Sequence, residues 1–195
     1  MKWGKWLSVG CLLATSQISP VLAAEKISVC FNYGCLAQAE VLYSDAQLGK
    51  LALLLDSAQN AAEERNSIRL AVGQLLGWAG EQSPIAADRG GNYADNGVSG
   101  MMDCIDHSTT TTRLLRMMEK RGLLRYHRVL DRVLRKRFLI FEHYSAQIEA
   151  LFPEAEGVAA ERFAVDSWFY DNGHPAAIIP LARWLAGESP NDAEQ

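Results

Sequence analysis

The sequence predicts an α+β fold, helices packed on a small antiparallel sheet, and three observations carry that reading. Apolar residues at helical spacing fill 44–79 and 101–121. β-rich stretches separated by turn residues occupy most of 123–170, so helices and strands are segregated along the chain instead of alternating. The 195 residues, 49% hydrophobic and 22% charged, suffice for one buried core and are too apolar for a disordered chain.

Residues 1–24 begin with Lys2 and Lys5, continue through an apolar stretch at 6–14, and end in small residues after Pro20. That is the layout of a secretory signal peptide, cut after Val21-Leu22-Ala23 or Leu22-Ala23-Ala24. The apolar run is too short for a lasting membrane anchor. The expected product is one domain, 25–195, in the periplasm or outside the cell. Cleavage removes two lysines and no acids, so 19 basic residues become 17 against 23 acidic, and the formal charge of −4 becomes −6. This balance argues against a general nucleic-acid or anionic-membrane binder.

Residues 26–32 (KISVCFN) are rich in β-formers and predict a strand. Ser44, with Gln47 three residues on, is a capping-box pattern that opens a helix through Leu48, Leu51 and Leu55. A second helix, 61–79, lines up Ile68, Val72, Leu75 and Leu76. The glycine-rich stretch 81–100 has almost no periodicity and reads as a long loop of the kind that carries function. Its Asp88, Asn92, Asp95 and Asn96 are the oxygen donors calcium takes, but their spacing matches no EF-hand and turn chemistry accounts for them. Leu114, Leu115, Met117 and Met118 give a third helix, stopped by Gly122. Its start is weakly marked, because threonines 109–112 are poor helix formers; Asp103 or a neighbour as cap places Cys104 in the first turn.

Residues 123–129, 138–151 and 162–170 read as strands, the last two joined as a hairpin through turn residues at 153–157; 175–184 close the chain. Between 113 and 137 stand ten Lys or Arg and only two acids, Glu119 and Asp131. A solvated helix face with an edge strand explains this most simply; a basic groove for an acidic partner is the sharper reading.

Signal cleavage also removes Cys11, leaving Cys30, Cys35 and Cys104. Exported thiols tend to pair, and the Asn-Tyr-Gly between Cys30 and Cys35 can turn, so a small disulfide loop there would leave Cys104 as the odd thiol. A zinc site from Cys30, Cys35, Cys104 and His107 is a competing use of the same side chains. A thiol at a helix start is suited to nucleophilic chemistry if a base and an orienting group join it. The histidines are His107, His127, His143 and His174. If the hairpin turns near 155 or 156, residues whose numbers sum to about 311 face one another, so His143 opposes Trp168 and Ser145 opposes Asp166. His143 and Asp166 then share a face and can bond diagonally, whereas a slip of one residue would separate them. The plainer readings are a turn cap for Asp166, a half-buried strand residue for His143, and core or pocket wall for Trp168 and Trp184. His107, three residues after Cys104, is a substitute base with no evident third group.

The order Met-Asp-Cys104-Ile-Asp, His143-Tyr-Ser-Ala and Val-Asp166-Ser-Trp resembles the transglutaminase-like (papain-like) cysteine peptidase superfamily over about 101–170. More narrowly, Asp-Cys-Ile-Asp at 103–106, Gly-Leu-Leu-Arg at 122–125 and Val-Asp-Ser-Trp-Phe-Tyr-Asp-Asn-Gly at 165–173 resemble a family of exported proteobacterial proteins, over about 63–185. The resemblance implies a papain-like/transglutaminase-like α+β core with Cys104 as nucleophile, His143 as base and Asp166 as orienting acid. It implies hydrolysis or acyl transfer on a peptide or other amide-containing substrate. The alternative it leaves open is a catalytically inactive binding module on the same fold. The backbone N–H of Cys104 is the physical default for an oxyanion donor. Neither a cofactor nor a metal is expected.

Overall fold

The computed structural model of the chain describes residues 24–92, 94–137, 141–152 and 159–190. The signal-peptide reading and the hairpin turn at 153–157 therefore fall outside the described residues, as do 138–140 at the start of an expected strand. The class is α+β, with helices and two antiparallel sheets.

Strands β1 (Glu25–Phe31) and β2 (Ala37–Tyr43) pair as a hairpin, Glu25 opposite Tyr43 and Phe31 opposite Ala37. β1 meets the sequence expectation. β2 has no counterpart there, because AQAEVLY carries weak strand formers and buries only Val41 and Tyr43. Pairing with β1 supplies its conformation, and Tyr43 Oη donates to Leu75 O at 3.1 Å inside the core.

Helix α1 (Asp45–Asp56) opens on the expected capping box: Gln47 N donates to Ser44 Oγ at 3.3 Å, and Ser44 N to Gln47 Oε1 at 2.9 Å. Helix α2 (Ala61–Gly80) buries Ile68, Val72, Leu75 and Leu76. The loop that follows contains one 3-10 turn, Pro84–Ala87.

Helix α3 (Cys104–Lys120) is capped by two aspartates. Asp106 N donates to Asp103 Oδ1 at 2.9 Å, and Asp103 N to Asp106 Oδ2 at 3.1 Å. The threonine run tolerates the helix because its hydroxyls are used: Thr110 Oγ1 accepts Cys30 N at 2.9 Å, and Thr112 Oγ1 donates to Ser108 O at 2.7 Å. Gly122, at φ +68°, ends it. Leu123 N reaches Met118 O at 3.0 Å and Gly122 N reaches Glu119 O at 2.8 Å, the Schellman pattern.

The second sheet has the order β3 (His127–Arg137), β4 (Phe141–Ala150), β5 (Arg162–Asp166), β6 (Ala177–Pro180), every neighbour antiparallel. The edge strand β3 begins later than expected and runs on through the basic stretch, whose charges suit an unpaired edge. It bulges between Leu130 and Val133. β4 and β5 register Ala146 opposite Val165 and Glu149 opposite Arg162, the alignment the expected hairpin requires. A short helix, α4 (Leu181–Leu185), follows β6.

One core joins α1, α2 and α3 to a face of each sheet, through residues such as Leu48, Leu75, Leu114 and Ile148. Truncating any such leucine to alanine would cost about 2–5 kcal/mol. Ala164, Ala177, Ile179 and Trp184 cluster on the other face of the four-stranded sheet. The fully buried Glu64–His127 pair ties α2 to the start of β3: Glu64 accepts His127 Nδ1 at 2.8 Å, Arg125 N at 2.5 Å and Tyr126 N at 3.0 Å. Burial opposes the Glu64 charge, yet these donors hold its carboxyl below the usual range. No helix among the described residues is long and apolar enough to cross a membrane.

Candidate functional site

Cys104 is the first residue of α3, half-buried, and the free cysteine of the described chain. Cys30 and Cys35 are joined as a disulfide. Their sulfurs are no longer thiolate ligands, which removes the zinc reading.

The disulfide closes an unusual loop. Asn32, Tyr33, Gly34 and Cys35 have φ of 65°, 64°, 63° and 59°, four consecutive left-handed residues. Asn32 N donates to Met101 O at 2.8 Å, and the next three N–H groups converge on Asp103 and Asp106, on either side of Cys104. Tyr33 N donates to Asp106 Oδ2 at 2.8 Å, Cys35 N to Asp106 Oδ1 at 2.6 Å, and Gly34 N to Asp103 Oδ2 at 2.9 Å. Burial pushes the Asp106 carboxyl up to about 6, the charge of Asp103 adding to this while the N–H donors oppose it. The β1–β2 hairpin thereby fixes the helix end that carries the thiol.

His143 comes from β4 and Asp166 from the end of β5. His143 Nε2 lies 2.7 Å from Asp166 Oδ2. Both carboxylate oxygens are engaged, since Trp184 Nε1 donates to Oδ2 at 2.9 Å and Trp168 N to Oδ1 at 3.2 Å. The ring packs among Trp168, Phe169 and Trp184, with centroids at 5.0, 5.8 and 5.7 Å, so both tryptophans wall the site. The Cys104 side chain is its other hydrogen-bonding and coulombic partner. With Nε2 on Asp166, Nδ1 is the nitrogen left for sulfur. Burial disfavours the imidazolium, but the hydrogen bonds and charges of Asp166 and Cys104 outweigh it and raise the His143 pKa to about 9. The residues singled out as Cys104, His143 and Asp166 are thus brought to one place.

A second buried line lies beside the first. His107 Nε2 is 2.9 Å from Asp88 Oδ2, and His107 Nδ1 is 3.0 Å from Ser167 Oγ, which is 2.9 Å from Thr111 Oγ1. Asp88 Oδ1 also accepts Met102 N at 2.8 Å, so Asp88 is committed to the protein interior. His107 does have an orienting acid, contrary to the sequence reading. The order Ser–His–Asp looks catalytic, but Ser167 is 5% exposed and held from its far side by Thr111, so no substrate carbonyl reaches it. What the line does is join loop, helix and strand. Asp166 and its neighbour Ser167 face opposite ways, one to His143 and the other to α3.

No family model, curated protein or solved structure matches this chain.

Proposed function

We propose that the chain is an exported cysteine-dependent amide or acyl hydrolase or transferase, built on a papain-like/transglutaminase-like core and working in the periplasm or outside the cell. The observation that carries this reading is the 2.7 Å contact of His143 Nε2 with Asp166 Oδ2 on a ring whose other partner is Cys104. In the proposed reaction His143 takes the thiol proton, and the thiolate sulfur bonds to the carbonyl carbon while the carbonyl electrons move to oxygen. Asp106 N is taken by the capping Asp103 Oδ1, and the N–H of Cys104, which has no intrahelical acceptor, serves as oxyanion donor. The C–N bond then breaks, the departing amine takes the proton from the imidazolium, and an acyl thioester remains. Water or a second amine, deprotonated by His143, releases the product and restores the thiol. Asp166 holds the ring by Nε2 and balances its charge throughout.

The Cys30–Cys35 disulfide supports the export part of the reading, because such bonds persist in oxidising compartments. An activated acyl ester tests the chemistry. Intact mass should reveal one acyl group, mapped to Cys104 and absent from His143→Gln. An adduct elsewhere, or equal acylation of the variant, would contradict it.

A further inference from the structure

On the outer side of α3, between this helix and the β3–β4 hairpin, a groove of about 340 Å³ is lined by Thr109, Thr112, Arg113, Arg116, Asp131, Arg132 and Tyr144. Thr109, Thr112, Arg113 and Arg116 stand at i, i+3, i+4 and i+7 and so form one stripe of the helix. The opposite wall depends on the bulge in β3, where Asp131 and Arg132 together oppose a single β4 position. Bulges re-aim side chains, and this one turns an arginine toward the helix. Gln147 Nε2 donates to the Asp131 carbonyl at 2.6 Å, fixing the bulged backbone.

The guanidiniums are held in place. Arg132 Nη1 donates to Thr109 Oγ1 at 2.8 Å, and its plane lies over the Tyr144 ring with Cζ 5.4 Å from the centroid. Arg113 Nη1 donates to Ser28 O at 2.9 Å and Gln38 Oε1 at 3.1 Å. Among the described residues, the bonds of both arginines run through Nη1, leaving Nη2 and Nε of each as donors. Arg116 is paired with Asp131, the single acid of the groove. Three arginines against one carboxylate make a fixed cationic site on a chain whose formal charge is −4.

We infer that this groove is a subsite for carboxylates of an acidic peptide substrate, with Arg113 and Arg132 as the gripping residues. The inference rests on the thiol-enzyme reading for its link to chemistry. Along α3 the stripe starts about 8 Å from Cys104 and ends about 18 Å away, at 1.5 Å per residue. An extended peptide covers that range in about two to five residues. The preferred substrate would therefore carry glutamate or aspartate a few residues from the amide attacked by Cys104.

Binding tests this without catalysis. Cys104→Ala protein is titrated with acetyl-tetraglutamate amide and with its tetraglutamine counterpart, at low and at moderate salt. The glutamate peptide should bind at least about tenfold more tightly, weaken with salt, and lose about tenfold in Arg132→Gln. Asp131→Asn, which removes the competing carboxylate, should tighten it. Asp131 and Arg132 are exposed, so both variants keep the fold. Equal binding of the two peptides, binding unmoved by either substitution, or displacement by inorganic phosphate as effective as the peptide would overturn the inference. Acylation of Cys104 in the wild-type protein separates the two claims: acylation there with no glutamate-peptide preference in Cys104→Ala ends the groove proposal alone, and peptide binding in Cys104→Ala with no acylation of the wild type ends the thiol chemistry alone.

Discussion

His143 Nε2 and Asp166 Oδ2 are 2.7 Å apart, and the same oxygen takes the indole N–H of Trp184 at 2.9 Å. The buried carboxylate is thus anchored by a donor independent of the histidine, and that anchored group orients the ring. The His143 pKa, raised from 6.5 to about 9, follows from this contact and from Cys104, against the opposing effect of burial. An NMR titration of the His143 ring should give a midpoint near that value. In Asp166→Asn the midpoint should fall, because burial then meets less opposition. A wild-type midpoint near 6.5, unmoved by Asp166→Asn, would contradict the pairing.

The same shift has a stability consequence, seen most simply in Cys104→Ala, where no thiol titrates alongside. Asp166 still raises the His143 pKa there, so the folded state keeps a proton that the unfolded chain releases near pH 6.5. The stabilisation is complete below that pH and disappears as pH rises through the folded value. Urea unfolding of Cys104→Ala should show stability falling over that interval. The loss should vanish in Cys104→Ala with Asp166→Asn, and its persistence there would rule out Asp166 as the cause.

The disulfide loop grips Asp103 and Asp106, the residues that cap the thiol helix. Replacing Cys30 and Cys35 by alanine should cost about 2 kcal/mol from the closed loop alone, and more if the carboxylates lose their N–H donors. Urea midpoints measure this, and hydrogen exchange at the start of α3 localises it. Unchanged stability with unchanged exchange would show that the loop does not hold the helix end.

Helix caps and strand register were legible because they are local. Ser44 with Gln47 announces α1, and Gly122 announces the end of α3, within a few residues of the feature itself. The alignment of His143 with Asp166 followed from one turn position and the two-residue period of strands. β2 was hidden because its residues form a strand only when β1 supplies the pairing. The line through Asp88, His107 and Ser167 was hidden because its members lie 19 and 60 residues apart, with no period to connect them. The indole N–H of Trp184 on Asp166 is another contact made only by the folded chain.

That hidden line should act in stability. His107→Ala leaves Asp88 Oδ2 buried without its imidazole partner, Met102 N still on Oδ1, and should destabilise the protein by about 1–3 kcal/mol in urea melts. Ser167, sealed against Thr111 and His107, should not react with a fluorophosphonate. Covalent labelling of Ser167 would overturn the assignment of Cys104 as the nucleophile.

Glycine substitutions test the packing with opposite signs. Gly73 lies in α2, where a Cβ would meet His174 O at 2.5 Å and His174 C at 2.7 Å. Gly73→Ala should destabilise by about 1–3 kcal/mol despite its better helix propensity. Gly49 in α1 has open space around it, so Gly49→Ala should stabilise by up to about 1 kcal/mol. Thermal melts compare the two; a stabilising Gly73→Ala would mean that α2 does not pass so close to His174.

Whether sulfur, imidazole and carboxylate work as one unit is read most directly from the rate at which iodoacetamide alkylates Cys104 at about pH 6.5. Wild-type protein should react roughly a hundredfold faster than His143→Gln, with Asp166→Asn between them. Equal rates in all three proteins would mean that Cys104 is an ordinary thiol and that the proposed chemistry does not occur.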